Sequence, residues 1–286
     1  NTLHEIFNRN QLFEARIIEN IIFNNKSLDS SDSLINFLKN MQSAMYENLK
    51  KIEKKSPFLK ELAFICKNTK IFRSIITYNY DNLIELYFRE AEIDFNSIFY
   101  DIDQNNIESD KINIYHVHGY IPFAETPEKE SITLGEDQYY ELLHDPYHWA
   151  NNIQLHFLST KTCLIIGHSL EDFNIKRLLE INFKRKNHKQ NGNQISDEPI
   201  QNHYIVLKQL PFSDFKRKMN VKAGKGKISD ESLQRLFYIY QSYLETTYKK
   251  FGLNTIWIKD FNKELPKLIQ ERSEEHTSEL QSRQVI

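Results

Sequence analysis

The sequence predicts an α/β protein in which a mainly parallel sheet carries helices on both faces, beside a helical subdomain. From residue 71 onward, short apolar or β-branched runs alternate with amphipathic segments, a pattern typical of parallel strands joined by crossover helices. Residues 1–70 show only helical spacing of their apolar side chains. Hydrophobic residues make up 40% of the 286 residues and aromatic residues 13%, which is enough to bury a sizeable core.

The first 70 residues contain three helix candidates. Apolar pairs recur at helical spacing over residues 12–22. Ser31–Leu49 begins with a Ser-Asp-Ser start signal and places its apolar residues on one face. Pro57 is a favoured first residue for the third helix, which we expect to run through Cys66. We therefore expect residues 1–70 to form a helical subdomain.

Strands and helices then follow one another along the chain. The predicted strands are Phe72–Tyr78, Phe95–Phe99, Lys111–Tyr120, a short extended Ile132–Leu134, Thr162–Ile166, His203–Leu207 and Leu253–Ile258. The predicted helices are Leu83–Glu90, Glu136–Leu143, Asp145–Leu158, Phe173–Phe183 and Ser229–Lys249. We expect Lys184–Gln201, which is polar throughout, to be a long loop.

Composition argues against several classes of protein. The formal net charge of −2 gives no direct signal for nucleic acid, and no apolar run reaches membrane-spanning length. Cys66 and Cys163 are far apart, and each lies in an apolar run. We expect both to be buried free thiols in a reducing compartment, so the predicted location is cytoplasmic.

Polar residues follow three of the predicted strands where each strand ends. The segments are Thr77–Asn82 (T-Y-N-Y-D-N), His116–Gly119 (H-V-H-G) and Ile166–Ile175 (I-G-H-S-L-E-D-F-N-I). The carboxyl ends of parallel strands meet at one edge of a sheet, and ligands bind there in open α/β sheets. Each segment alone is a weak signal, because Asn and Asp after a strand commonly cap the following helix. Together they predict a ligand site at the carboxyl edge.

The order of these segments resembles the sirtuin superfamily, and more closely the sirtuin-like domains of bacterial anti-phage defence proteins. The resemblance covers residues 71–260. It implies a Rossmann-like sheet that binds NAD as substrate and cleaves its nicotinamide–ribose bond. It also implies an effector of abortive-infection defence that acts as a homo-oligomer and is triggered by a phage-derived molecule or a partner protein.

The resemblance also assigns roles to individual residues. Asn79 matches the catalytic asparagine, and His118 matches the catalytic histidine before the glycine. Asp81 matches a carboxylate that faces the nicotinamide amide in sirtuins, whereas Asp172 matches only the defence-type pattern. The residues assigned to NAD binding are Thr77, Asp81, Gly119, Gly167, Ser169 and Asp172.

The chain departs from sirtuins at the pyrophosphate site. Sirtuins open with a strand and a Gly-Ala-Gly-x-Ser turn, whose backbone N–H groups can point at the anion. Here the first glycine is Gly119. We therefore expect a fragment whose glycine turn lies upstream of Asn1. Arg272–Ser282 resembles the translation of a sequencing-adapter oligonucleotide, so residues 272–286 are expected to be non-native and 71–271 to form the NAD-binding core.

The second departure concerns zinc. Protein-deacylating sirtuins carry paired Cys-x-x-Cys motifs, whereas this chain has two isolated cysteines, which cannot form a tetrahedral zinc site of that kind. The expectation is no zinc, no other metal, and water as the acceptor of the ADP-ribosyl group. The product would then be ADP-ribose, as expected of an NAD glycohydrolase.

Three alternatives stay open on the sequence. Gly167-His168-Ser169 follows a strand, as in a serine hydrolase, but a nucleophile elbow needs glycine where Glu171 stands. His116 and His118 share a strand face and could hold a metal, although no third ligand is identified. The third alternative is a catalytically silent domain that binds NAD or ADP-ribose as a sensor or assembly module.

Overall fold

A computed structural model provides the structure of the protein. It describes residues 30–47, 49, 56–69, 71–101, 108, 110–126, 132, 136–168, 170, 172–191, 203–223 and 228–271. The predicted helix over residues 12–22 and the expected non-native tail therefore lie outside the described residues. The chain divides into two compact units, one containing the described residues up to Ala150 and from Pro266 onward, the other Asn151–Leu265. The predicted division into 1–70, 71–271 and 272–286 stays a prediction.

The first unit contains helices on a three-stranded parallel sheet. In chain order its elements are α1 (Ser30–Tyr46), α2 (Pro57–Asn68), β1 (Ser74–Thr77), α3 (Leu83–Glu90), β2 (Phe95–Ile98), β3 (Ile112–His116) and α4 (Glu136–His144). The strand order is β1-β3-β2, so β3 lies between the other two. Each strand keeps one register, with Thr77 opposite His116 and Ile98 opposite Tyr115.

Helices α2 and α3 cover one face of β3. Ile112 and Ile114 alternate along that strand and are buried against Leu62 and Cys66 of α2 and Phe88 of α3. Helix α2 begins where the sequence predicts, because the Ser56 hydroxyl accepts the Leu59 N–H at 3.2 Å and Pro57 occupies the first turn. The helical stripe of α2 is thus a packing face of the same core as the sheet.

The second unit also contains a parallel three-stranded sheet. Its elements are α5 (Trp149–Thr160, whose first two residues belong to the first unit), β4 (Leu164–Ile166), α6 (Phe173–Asn191), β5 (His203–Lys208), α7 (Phe212–Ala223), α8 (Asp230–Lys249) and β6 (Leu253–Ile258). The strand order is β4-β5-β6. A further helix covers residues 264–271, of which those from Pro266 onward belong to the first unit. The α/β class with parallel sheets flanked by helices is confirmed.

Helices α6 and α5 differ in their bounds from the sequence prediction. Helix α6 continues to Asn191, so the predicted loop over Lys184–Gln201 is wrong in its first half. That stretch is rich in Lys, Arg and Gln, which favour helix, and its first glycine is Gly192, which follows the last helical residue. Helix α5 begins at Trp149 instead of Asp145, because the Asp145 carboxylate accepts the Tyr147 N–H at 2.8 Å and forms a turn there.

Helix α7 has no counterpart among the predicted elements. It begins after Pro211, and Phe212, Phe215 and Met219 give its apolar face with spacing of three and four residues. Phe215 is buried with Leu233 and Phe237 of α8 in a small core. None of the helices in the described residues is long and apolar enough to cross a membrane.

Candidate active site

The register of β1 and β3 brings two of the three polar segments together. Beyond the paired residues Thr77 and His116, the Val117 N–H donates to the Thr77 carbonyl at 3.2 Å. The Ile121 N–H donates to the Tyr80 carbonyl at 2.7 Å. The segments 77–82 and 116–121 therefore run side by side at the carboxyl edge of the first sheet.

Thr77 and Asn79 form a turn at the end of β1. Thr77 is buried, and its hydroxyl accepts the Asn79 N–H at 3.1 Å. The Asn79 side chain is exposed to solvent. The Asn79 amide, predicted to be catalytic, is thus available to a ligand, while the Asn79 backbone is fixed by the Thr77 hydroxyl.

His116 holds the backbone of Asn79 from the other strand. The ring of His116 is fully buried, with Nδ1 at 3.3 Å from the Asn79 carbonyl oxygen and Nε2 at 2.6 Å from Oε1 of Glu85. Because a carbonyl only accepts, Nδ1 carries the proton in that contact. One further proton then lies between Nε2 and Glu85, so both ring nitrogens are used inside the protein. The alternative of a metal bound by His116 and His118 is not supported by this geometry.

Glu85 is a functional candidate that the sequence analysis did not single out. It is fully buried in the first turn of α3, and its Oε1 also accepts the Ser97 hydroxyl at 2.9 Å. Its Oε2 has no hydrogen-bond partner among the described residues. A lone acid within Leu83–Phe88, where its neighbours are apolar, was the signal that could have found it.

Asp81 has a structural contact of its own. Its Oδ1 accepts the Leu83 N–H at 3.1 Å, which satisfies a donor at the start of α3. Burial raises the pKa of Asp81, while the Leu83 N–H and the His116 ring act in the opposite direction. Asp81 therefore caps helix α3 through Oδ1. This role is compatible with the predicted contact to nicotinamide, because the carboxylate has a second oxygen.

Asn82 and Tyr46 tie this edge to helix α1. Tyr46 Oη lies 2.6 Å from the Ile121 carbonyl and 2.9 Å from Asn82 Oδ1, and accepts the Asn82 N–H at 2.9 Å. Asn82 Oδ1 also accepts the Phe123 N–H at 3.2 Å. Burial raises the pKa of Tyr46 far above that of an ordinary phenol, so its hydroxyl stays neutral. Sequence spacing gives no signal for this contact.

His118 follows β3 in the turn that closes the strand. Its ring is half-buried and meets the Tyr78 ring edge-to-face, with centroids 4.9 Å apart. Gly119 has φ of +123°, a conformation that favours glycine, and its N–H donates to the His116 carbonyl at 3.3 Å. The turn thereby sets His118 beside the residues that follow β1.

The third polar segment lies in the second unit, after β4. Gly167 has φ of +71° and is exposed, and a Cβ there would meet no atom within 4 Å. Leu170 is buried with φ of +54°, a strained conformation for a non-glycine residue. Its N–H donates to Nδ1 of His168 at 2.9 Å, and burial lowers the pKa of that histidine. Ser169 lies outside the described residues, so its assigned role stays a prediction.

Asp172 and Asn174 organise the start of α6. Asp172 Oδ1 accepts the N–H groups of Asn174 at 2.7 Å and Ile175 at 3.2 Å, as a helix cap does. Asn174 is fully buried, donates to Asn151 of α5 at 2.9 Å and accepts from Arg177 at 2.8 Å. Asn174 lies in the third polar segment, Ile166–Ile175, but the sequence pattern does not predict this packing role.

No group of three or more His, Cys, Asp or Glu side chains in the described part of the chain could hold a metal ion. The expectation of no zinc nevertheless rests on the cysteine count and stays a prediction. The structure also leaves open the predicted placement of all three polar segments at one edge, since it brings together only the first two.

A family model described as a SIR2-like domain matches residues 73–224, which is more than half of the chain. The match begins one residue before β1 and takes in all three polar segments. The match thus defines the class of protein as an NAD-dependent enzyme family. This chain belongs to the SIR2-like family, whose members use NAD as substrate. No curated protein matches the chain.

Proposed function

We propose that this protein is an NAD glycohydrolase, which cleaves the nicotinamide–ribose bond of NAD with water and releases nicotinamide and ADP-ribose. One observation carries the proposal beyond family membership. Thr77 and His116 are register partners, so Asn79 and His118 each lie two residues beyond a paired position of neighbouring parallel strands. An exposed amide and an imidazole therefore belong to the same edge of the sheet.

The chemistry of the bond fits these side chains. Nicotinamide leaves a pyridinium as a neutral ring, so the leaving group needs little acid catalysis, and the ribose C1′ develops oxocarbenium character as in glycoside hydrolysis. Water adds to C1′, the C1′–N bond breaks with its electron pair going to the ring, and one proton is released. Imidazole is the side chain suited to accept that proton near neutral pH.

Each residue at the edge then has one role. His118 acts as the general base toward the water or a ribose hydroxyl. The Asn79 amide orients the water, because it can both donate and accept hydrogen bonds. Asp81 places a carboxylate near the cationic ring. His116 and Glu85 are positioning residues, since their contacts hold the Asn79 backbone.

The finer biology is part of the same proposal. The absence of paired cysteines from the sequence supports hydrolysis without zinc and without transfer to an acyl-lysine. We place the enzyme inside a bacterial cell as a homo-oligomeric effector of anti-phage defence, activated by a phage-derived molecule or a partner protein. The motif order quoted above supports this role by resemblance, which is a fold-level analogy.

The test is His118→Ala in the full chain, assayed for NAD hydrolysis in its activated state. We expect nicotinamide release to fall about 100-fold or more, because a general base contributes on that scale. His144→Ala is the control, since that histidine is exposed at the end of α4. Unchanged release in His118→Ala would remove this residue from the mechanism. Wild-type protein that binds NAD in every state without releasing nicotinamide would favour the sensor.

A further inference from the structure

One hydroxyl group lies between the two segments of the candidate active site. Tyr46 Oη accepts the Asn82 N–H at 2.9 Å and donates to the Ile121 carbonyl at 2.6 Å. Asn82 closes the segment that carries Asn79, whereas Ile121 follows His118 by three residues. A single oxygen atom therefore connects the two stretches of backbone that carry the predicted catalytic side chains.

The two segments also contact each other around this hydroxyl. Asp81 and Ile121 form a parallel bridge, and the Ile121 N–H donates to the Tyr80 carbonyl at 2.7 Å. The Asn82 side chain crosses in the same direction, because its Oδ1 accepts the Phe123 N–H at 3.2 Å. The hydroxyl joins these links from outside both segments, since it belongs to helix α1.

Helix α1 holds the second segment with another side chain as well. Gln42 lies four residues before Tyr46, which puts both side chains on one face of α1. The Gln42 amide nitrogen donates to the carbonyl of Pro122 and to that of Glu125, the latter at 2.6 Å. Helix α1 lies outside residues 73–224, the range of the SIR2-like match, so family membership assigns no role to these side chains.

The ring and the hydroxyl of Tyr46 contribute in different ways. The ring is buried with Leu49 and Ile121, where a phenylalanine ring would pack equally well. The hydroxyl is the part that reaches the backbone of both segments. Burial raises the pKa of Tyr46, so the hydroxyl keeps its proton and remains a donor. Loss of the hydroxyl alone should therefore release the two segments from each other while the apolar core stays packed.

We propose that Tyr46 is a positioning residue for cleavage of the nicotinamide–ribose bond, whose hydroxyl sets the distance between the Asn79 amide and the His118 imidazole. This role rests on the proposed NAD glycohydrolase function. Cleavage depends on the alignment of the reacting groups, and a displacement of about 1 Å can lower the rate about 100-fold. Helix α1 is then part of the framework of the active site.

The first experiment measures NAD hydrolysis by Tyr46→Phe in the full chain, in its activated state and well below the melting temperature. We expect kcat to fall about tenfold or more and KM to change less than about twofold, because the substrate still binds while the catalytic groups are misaligned.

Tyr87→Phe is the matched control for this substitution. Tyr87 is 5% exposed, close to Tyr46 at 7%, and its hydroxyl accepts the Ser56 N–H at the start of α2. Each substitution removes a buried hydroxyl from a backbone partner, so both should lower the melting temperature. Tyr87→Phe should nevertheless keep the kcat of the wild type, because Ser56 belongs to neither segment.

Gln42→Met provides a second variant on the same helix. It keeps the length of the side chain and removes the N–H donors to the Pro122 and Glu125 carbonyls. We expect kcat to fall with KM unchanged, since these carbonyls continue the segment that carries His118. Ser43→Ala is the control, because the exposed Ser43 hydroxyl donates to the Lys39 carbonyl within α1, and this variant should hydrolyse NAD like the wild type.

Amide hydrogen exchange followed by NMR tests the geometry without catalysis. In Tyr46→Phe, the N–H groups of Asn82 and Ile121 should exchange about tenfold faster or more, because the contact that joins their segments is lost. The Asn113 N–H donates to the Arg73 carbonyl at 3.1 Å beside the paired residues of β1 and β3, so it should exchange at the wild-type rate.

Several results would overturn the inference. Wild-type kcat in Tyr46→Phe, or an equal loss of kcat in Tyr87→Phe, would do so and leave the proposed hydrolase intact. A raised KM with unchanged kcat would assign the hydroxyl to substrate binding. Unchanged exchange of the Asn82 and Ile121 amides would show that the segments do not depend on the hydroxyl. A wild type that releases no nicotinamide in any state would overturn the proposed function, and this role with it.

Discussion

Glu85 and His116 are buried side by side, and together they hold the backbone of Asn79 in place. A buried contact between two ionisable groups is weak evidence for stability, because desolvation offsets much of what the contact contributes. Here the second ring nitrogen of His116 reaches the Asn79 carbonyl, so the pair links α3, β3 and the end of β1. The contribution of the pair is to fix the backbone of Asn79, whose side-chain amide is exposed.

The Asn79 and Asp81 side chains should respond differently to truncation. We expect Asn79→Ala to lower NAD turnover about 100-fold with an unchanged melting temperature, because its side chain is exposed. Asp81→Ala should lower the free energy of unfolding by about 1 kcal/mol, because it removes the acceptor of the Leu83 N–H. Calorimetry and nicotinamide release on the same preparations give both quantities. A destabilised Asn79→Ala with full turnover would assign that residue to structure.

The two cysteines should differ in reactivity. Burial raises the pKa of the Cys66 thiol to about 12, so almost no thiolate is present near neutral pH. Cys163 is half-buried, which corrects the expectation that both thiols are buried. We expect one thiol per folded chain to react with a chromogenic disulfide, and two after denaturation. Mass mapping of the labelled peptide should identify Cys163, and early labelling of Cys66 would contradict the structure.

At the scale of elements, helix α6 combines a start that the sequence predicted with an end that it did not. Asp172 fixes the start through its cap, whereas the polar Lys/Asn/Gln stretch continues the helix without an apolar stripe that a pattern could reveal. Helix α7 was missed for a related reason, because Phe212, Phe215 and Met219 are few among charged residues. Periodicity detects apolar faces, and both stretches contain few apolar residues.

Asp172 offers a test that separates capping from ligand binding. We expect Asp172→Ala to lower the free energy of unfolding by about 1 kcal/mol, because it removes the acceptor for the Asn174 and Ile175 N–H groups. Asp172→Asn keeps an acceptor oxygen and removes the charge, so it should preserve most of the stability. Isothermal titration with NAD completes the comparison. Weaker NAD binding by Asp172→Asn at unchanged stability would support its assignment to the ligand.

The candidate site shows the same limit on sequence reasoning. Asn79, Asp81 and His118 stand at strand ends, where local pattern and motif order point to them. Tyr46 and Asn82 meet across 36 residues, and Glu85 and His116 across 31. Such contacts depend on which helices pack at the sheet edge, and no local periodicity encodes that. The groups at the strand ends were therefore predictable, while the fully buried groups that position them were not.

At the scale of the whole molecule, the reaction should end at water. Supplying an acetyl-lysine peptide should leave the rate of nicotinamide release unchanged, because the chain has two cysteines and no paired motif to build the zinc module of deacylases. Mass spectrometry of the products should show ADP-ribose. Stoichiometric O-acetyl-ADP-ribose would instead identify the protein as a deacylase and refute the hydrolase proposal.

The division into two compact units gives the molecule a built-in pair of optical reporters. The chain has two tryptophans, and each unit contains one of them. Trp149 stacks on the His148 ring in the first unit, while the Trp257 indole donates to Glu245 at 2.6 Å in the second. Replacing either one with phenylalanine leaves a single tryptophan, which can be excited at wavelengths where tyrosine does not absorb. Emission from the two variants during denaturation then reports separately on the start of α5, where the two units adjoin in the chain, and on β6 of the second unit, without an added label.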